Sequence, residues 1–463
     1  MKTKKIVALV LSMAMVLGVV AACTEKTPES SAASSEASSA ASSEATESSE
    51  DTTESDSGEA QFTELEIAEV SDDSDSVLIY GWNEEFPGLV DKYSQVKHTV
   101  VTTDSDHYQA KLDQVLTSGE EAPDLFVCDA DYASKYMNST NTLAINDLGI
   151  AYAELEQMYT YTLQFACDDS NIIKGLAWQA CPCGVFYNRA LTQEYLGVSE
   201  PEDVAANFAS WDAFLDAAKQ VKDKSAGKVK LISGIDDIWR SYLNTRTQGW
   251  IVNGELVIDP EMEKYFDLGK TLFDEDLTWK TTQWSDAWTN NAGNKSTVAY
   301  FGPMWLGHFC LPFGQDGYDA DQFGTWGLTN APAPSFWGGT WMMASKYCDM
   351  KASCAQIMRD ISLTDANLQA MADEGEFVNS VKIMEAQAAN TNFHVDWLGG
   401  QNPAAVLLAS ASTIDNSTVG QDDQSINAEF TAAANAYFDG TIGSVAEAED
   451  TFTNALKDLG IIS

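Results

Sequence analysis

Residues 76 to 131 alternate apolar runs with helical patterns, and this order narrows the possible folds most. "SVLIYGW" (76–82) reads as a buried strand, being short, apolar and bounded by turn residues. "NEEFPGLVDKYSQ" then opens a helix, with Pro87 in its first turn and Phe86, Leu89, Val90 and Tyr93 on one face. "HTVVTTD" (98–104) is a second strand, and "HYQAKLDQVLTSGE" an amphipathic helix with Leu112, Val115 and Leu116 inward. "APDLFVCDAD" (122–131) is a third strand. A β-α-β-α-β order predicts a parallel sheet in an α/β fold. Ligands of such sheets bind beyond the carboxyl ends of the strands, and Asn83, Glu84, Asp129 and Asp131 all fall there.

After "LAWQACPCGVFYNRALT" the alternation resumes. "SWDAFLDAAKQVKD" (210–223) is a helix with Ser210 as N-cap. "VKLISGI" and "STVAYFGPMW" (296–305) are strands, "ADQFGTWGLTNAPAPSFWGGTWMMASK" is strand and turn, and helices fill about 350–390. Two short helices around a glycine turn close the chain. Residues 77 to 463 exceed what one hydrophobic core usually serves, so two lobes are expected.

The N-terminus has a different character. Lys2, Lys4 and Lys5 precede an apolar run over 6–20, fifteen residues long. A membrane-spanning helix needs about 20, so the run suits a signal-peptide core over 1–22. "VAAC" ending at Cys23 resembles the lipobox of bacterial lipoproteins, which implies lipidation of Cys23 and an anchor on the outer face of the cytoplasmic membrane. An ordinary secretory signal cut near Ala22 is the alternative. Residues 24–76 carry 16 acidic residues and one lysine among Ser, Ala and Thr. So little apolar surface cannot offset ordering entropy, and a disordered tether over 23–76 is expected.

The net charge of −44 excludes nucleic acid as a natural partner, since phosphates need Lys and Arg. Seven cysteines follow Cys23, an odd number that makes no disulfide framework, so free thiols are expected. Cys181-x-Cys183 and His308-x-Cys310 lack the usual zinc-ligand spacing. Neither a metal nor a cofactor is expected. Several of the thirteen tryptophans sit beside Gly and Pro, as in "GPMW" and "SFWGGTW", rather than at core periods.

The segments "YGWNEEFPGLVDKY", "YQAKLDQVLTSGEEAPDLFVCDADY", "WQACPCGVFYNRAL", "SWDAFLDAAKQVK", "VAYFGPMWL", "WGGTWMMASK" and "YFDGTIGSVAEAEDTF", in this order, resemble extracellular solute-binding proteins of family 1. These are the carbohydrate-binding lipoproteins of ABC importers. The resemblance spans nearly all of 77–463. It implies a two-lobe, type II periplasmic-binding-protein-like α/β fold, with the ligand in a cleft between lobes joined by crossing segments. Lobe 1 is expected over 77–180 plus about 340–376, and lobe 2 over about 184–336 plus 379–463. The implied function is capture of an oligosaccharide and its delivery to permease subunits by a monomer that does no chemistry. Carried over residue by residue, the ligand-binding set is Trp82, Asn83, Glu84, Asp131, Trp178, Gln179, Tyr187, Trp305, Gly339, Trp341 and Trp397. Cys181-Pro182-Cys183 departs from the family's more polar residues at that wall.

The chemistry is consistent with that set. A sugar has apolar C–H faces, on which aromatic rings stack, and a rim of hydroxyls for Asp, Glu and Asn. Packing is the competing role for each aromatic, and Trp211, Trp250, Trp279 and Trp288 are assigned to it. Only four arginines in the whole chain favour a neutral sugar over an acidic one. A polyamine or other cationic ligand is the second reading, since carboxylates and an aromatic box bind amines. A surface glycosidase, needing two acids about 5–10 Å apart, is the third.

Overall fold

The structure, a computed structural model, describes residues 62–311 and 324–463. The expected signal segment, Cys23 and the tether up to residue 61 lie outside the described residues. In chain order the strands are β1 (Val77–Gly81), β2 (His98–Thr102), β3 (Leu125–Asp129), β4 (Gly175–Ala177), β5 (Gly184–Asn188), β6 (Ile251–Val252), β7 (Glu255–Leu256), β8 (Ala299–Gly302), β9 (Trp326–Thr329) and β10 (Thr340–Ala344). The first sheet runs β2-β1-β3-β10-β4. Its β1 is parallel to β2 and β3, as the opening alternation predicts. β10 arrives from the other lobe and therefore enters antiparallel, setting Trp341 opposite Cys128 and Ala177. The second sheet, β8-β5-β9, is wholly antiparallel. β5 lies at its centre, with all five residues buried.

Local signals work where they are chemically specific. The Ser210 side chain accepts from the Ala213 N–H at 3.1 Å and starts the helix Trp211–Ser225. Gly119, at φ 76°, ends the helix Ser105–Ser118 in the left-handed conformation that glycine tolerates. "VKLISGI" does not become a full strand: Lys230 and Ile232 make only isolated bridges, to Thr297 and Thr278. The chain is pressed too close to its neighbour there, since a Cβ on Gly234 would lie 2.0 Å from the Thr281 carbonyl oxygen.

Two hydrophobic cores are present, and the first draws residues from both sheets. The first is built on Ile79, Phe126, Met342 and Ile357. The second is built on the helices Asp236–Leu243, Pro260–Asp274, Asp423–Phe438 and Val445–Asp458, with Trp239, Tyr265 and Phe430 in mutual ring contact. Ile383, Met384 and Leu407, from the helices Val381–Ala389 and Ala404–Ala411, join the first core. Phe186 of β5, Tyr300 of β8 and Leu328 of β9 belong to the same cluster, so these helices pack where it meets the second sheet.

The end of the expected tether is ordered. Residues 62–76 lie along the first lobe: Leu65 N–H donates to Asn146 Oδ1 at 3.1 Å, Ala68 N–H to Asn146 O at 3.0 Å, and Asp73 N–H to Asp349 O at 2.8 Å. Phe62 packs on the first core, and Val70 side-chain atoms lie beside Gly149. The acidic composition of the window hides these few apolar positions. No helix among the described residues is long and apolar enough to cross a membrane.

Candidate ligand-binding cleft

Three crossing segments join the lobes and are hydrogen-bonded to one another. Cys183 N–H donates to Ser335 O at 2.7 Å, Trp337 N–H to Cys181 O at 3.2 Å, Ala180 N–H to Phe377 O at 3.1 Å, and Asn379 N–H to Trp178 O at 2.7 Å. The junction is tight. Gly339 sits at φ 94°, where a Cβ would meet the Trp341 ring at 3.2 Å and Cys181 Sγ at 3.5 Å. Cys181 itself is left-handed at φ 50°, a conformation that non-glycine residues adopt only when neighbours impose it.

Carboxyls gather on the cleft side of these crossings. The buried Gln179 amide bridges two of them, its Nε2 lying 3.2 Å from Glu85 Oε1 and 3.3 Å from Glu376 Oε2. Desolvation, with Glu85 repelling it, pushes Glu376 up to about 7. Glu85 is exposed as a residue, yet the cleft walls crowd its carboxyl and raise its pKa, against the hydrogen bond from Gln179. Asp129, at the end of β3, is pushed up to about 7 by desolvation and by Asp131 beside it. Among the described residues none of these three is in a salt bridge, and Arg240 acts on Asp129 only at longer range.

Asp131 does have a cation. Arg240, on the helix Asp236–Leu243 of the second lobe, brings Nη1 to 2.6 Å from Asp131 Oδ1 and Nη2 to 3.0 Å from Oδ2. The same guanidinium lies over the Trp337 ring, 5.4 Å from its centroid. Trp337 belongs to an aromatic trio: Trp305 is 4.9 Å from it at a steep angle, and Trp284 stacks on Trp305 at 6.3 Å and 13°. Trp305 Nε1 donates to Trp337 O at 3.1 Å, which fixes its ring. Trp284 is held at φ 70°, an outlier for so bulky a residue, of the kind that clusters at functional sites. Beside the trio a cavity of about 260 Å³ is lined by Met304, Trp305, His308, Glu374, Gly375 and Glu376. Met304, Trp305 and His308 come from the turn after β8, which continues as a single π-helical turn, Leu306–Cys310. Such turns are frequent at functional sites.

Of the sequence-derived set, Trp305 lines the cavity, and Gln179 and Asp131 lie on the carboxyl-rich wall. Trp82 is half-buried, edge-on to Tyr108 and Tyr132. Asn83 Oδ1 accepts from the Glu85 N–H at 3.0 Å, and Glu84 from the Thr102 hydroxyl at 2.9 Å, so both brace the loops after β1 and β2. Trp178 is buried and stacked on Phe86, and Trp341 is buried against Phe165. Tyr187 is buried in the second core, its hydroxyl donating to Ser199 O. Trp397 is buried beside Phe186 and His308. Sequence reasoning missed Glu85, Glu376, Arg240, Trp284 and Trp337. Trp337 stood in the quoted "SFWGGTW", and the others carry no local signal. Among the described residues no group of three or more His, Cys, Asp or Glu is placed to hold a metal.

Residues 90–397 match the family of bacterial extracellular solute-binding proteins. The chain belongs to that family. Its fold is the family's two-lobe, type II arrangement of mixed α/β lobes. An extracellular solute-binding protein of family 1 superposes with a TM-score of 0.73 at 20% identity, over 82% of this chain and 99% of its own. The ABC transporter associated binding protein from B. animalis subsp. lactis Bl-04, solved with beta-1,6-galactobiose, gives 0.64 at 19%, over 83% and 97%. The galacto-N-biose-/lacto-N-biose I-binding protein from Bifidobacterium longum, solved with lacto-N-biose, gives 0.64 at 16%, over 85% and 100%. No curated protein sequence matches this solute-binding protein.

Proposed function

We propose that this solute-binding protein is the lipid-anchored receptor of an ABC importer, and that it captures a neutral oligosaccharide and delivers it intact to the membrane permease. The observation that carries the reading is the cavity itself, which the Trp305 ring, fixed by its hydrogen bond, and Glu376 both line. An aromatic ring and a carboxyl in one cavity suit one sugar unit, its C–H face against the ring and its hydroxyls bonded to the carboxyl. The saccharides in the solved relatives support the substrate class. Cys23, behind its lipobox, supplies the anchor.

One observation favours a second reading. Glu85, Asp129 and Glu376 repel one another and have no ion-paired cation among the described residues, and a cationic ligand would offset their repulsion. The test is a thermal-shift panel on the full chain, with neutral oligosaccharides, uronates and polyamines. A ligand at 100 times its dissociation constant adds about 2.7 kcal/mol, a clear rise in melting temperature. A rise with a neutral oligosaccharide recovered uncleaved supports the first reading. A rise with polyamines alone replaces it with the second, and shortened sugar makes the protein an enzyme.

A further inference from the structure

Cys348 and Cys354 are both buried and their Sγ atoms lie 3.7 Å apart, the only thiol–thiol contact among the described residues. Cys348 follows β10 in a turn, its N–H donating to Ser345 O at 3.0 Å. Cys354 sits in the first turn of the helix Lys351–Ser362, its N–H donating to Met350 O at 2.8 Å. The sulfurs have to close from 3.7 Å to a bond of about 2.05 Å, less than about 2 Å of travel. Extracellular proteins of this family leave the reducing cytosol, and outside it disulfides persist once made.

We propose that Cys348 and Cys354 form a disulfide in the exported protein, made by exchange with a small-molecule or protein disulfide. The balance is simple. One cysteine attacks the oxidant's S–S bond and releases a first thiol. The second cysteine then attacks that mixed disulfide and releases a second thiol. Two cysteine thiols are oxidised, one disulfide is reduced, and both protons leave on the released thiols. The two cysteines are six residues apart, so they meet at small entropic cost before the lobe is complete. Afterwards burial shields the bond from reductants. The staple lies beneath the ordered N-terminal segment, since Asp349 O accepts from the Asp73 N–H and Ser353 donates to Asp72 from both its N–H and its hydroxyl.

The sequence supplies the test. Trypsin cuts after Lys346, Lys351 and Arg359, separating the cysteines into peptides 347–351 and 352–359. The full chain is refolded from the reduced state in a glutathione redox buffer, blocked under denaturing conditions and digested. The expected result is the two peptides linked, and a melting temperature about 3 °C lower after reduction. The same comparison on Cys348→Ser should show no effect of reductant. Folded protein whose two peptides carry only blocking groups or glutathione overturns the proposal.

Discussion

The Asp131–Arg240 pair links the start of the helix Ala130–Met137, just after β3 in the first lobe, to the helix Asp236–Leu243 in the second, and removing its charge should open the empty protein. Asp131→Asn keeps the shape and deletes the carboxylate charge. The two side chains are 28% and 26% exposed, between a surface pair worth under about 1 kcal/mol and a buried charged hydrogen bond worth up to about 3. About 2 kcal/mol follows, a shift of roughly 30-fold in the closed-to-open ratio. Small-angle scattering of the ligand-free protein reads this directly, because the same N-terminal tail is present in both samples. The radius of gyration should rise in Asp131→Asn and in Arg240→Met. The double variant should show a coupling of about 2 kcal/mol. Ligand affinity alone does not discriminate, since Asp131 would also lose binding if it touched ligand. Unchanged scattering of ligand-free Asp131→Asn would refute the latch.

Glu376→Gln tests the crowded carboxyls. Glu376 titrates near 7 when folded against 4.5 when unfolded, so the native state binds more protons between those values and stability falls as pH rises through that window. The substitution should therefore stabilise the empty protein by about 2 kcal/mol at pH 8 and by nothing at pH 4, read from melting temperatures across pH. Trp305→Ala should weaken ligand binding by about 10-fold or more in calorimetry while leaving the melting temperature of the empty protein within a few degrees; equal affinity would remove the ring from the site. Asp72→Ala removes the acceptor that meets the Ser353 N–H at 3.0 Å in the first turn of the helix Lys351–Ser362, and should cost about 1 kcal/mol in denaturant unfolding.

The opening alternation of strands and helices was legible because each element carries its own period: β1, β2 and β3 fall inside the quoted runs, and Asp129 and Asp131 end up on the cleft side as the carboxyl-end rule requires. The site was less legible. Aromatic residues beside Gly and Pro announce the crossings, but a tryptophan there reads the same whether it turns inward, as Trp341 does, or lines the cavity, as Trp305 does. Side-chain direction flips with every strand residue. Arg240 and Asp131 are 109 residues apart, and Glu85 and Glu376 meet only through Gln179. Such partners exist only once the lobes are packed, so no local window holds them. At residues 62–76 a composition average outweighed the few apolar side chains that fasten the segment.

That fastening has a mechanical consequence. The ordered N-terminal segment is bonded to Asn146, Asn171, Asp349 and Ser353, all on the first lobe. Any load arriving from upstream of residue 62 enters that lobe at Asn171 and Asn146, before it reaches the 348–353 turn, and bypasses the crossings. The first lobe then serves as the fixed jaw, and the second, carrying Arg240 and Trp305, is the jaw free to swing. Motion between the lobes would then show as displacement of the second relative to the segment that the first holds.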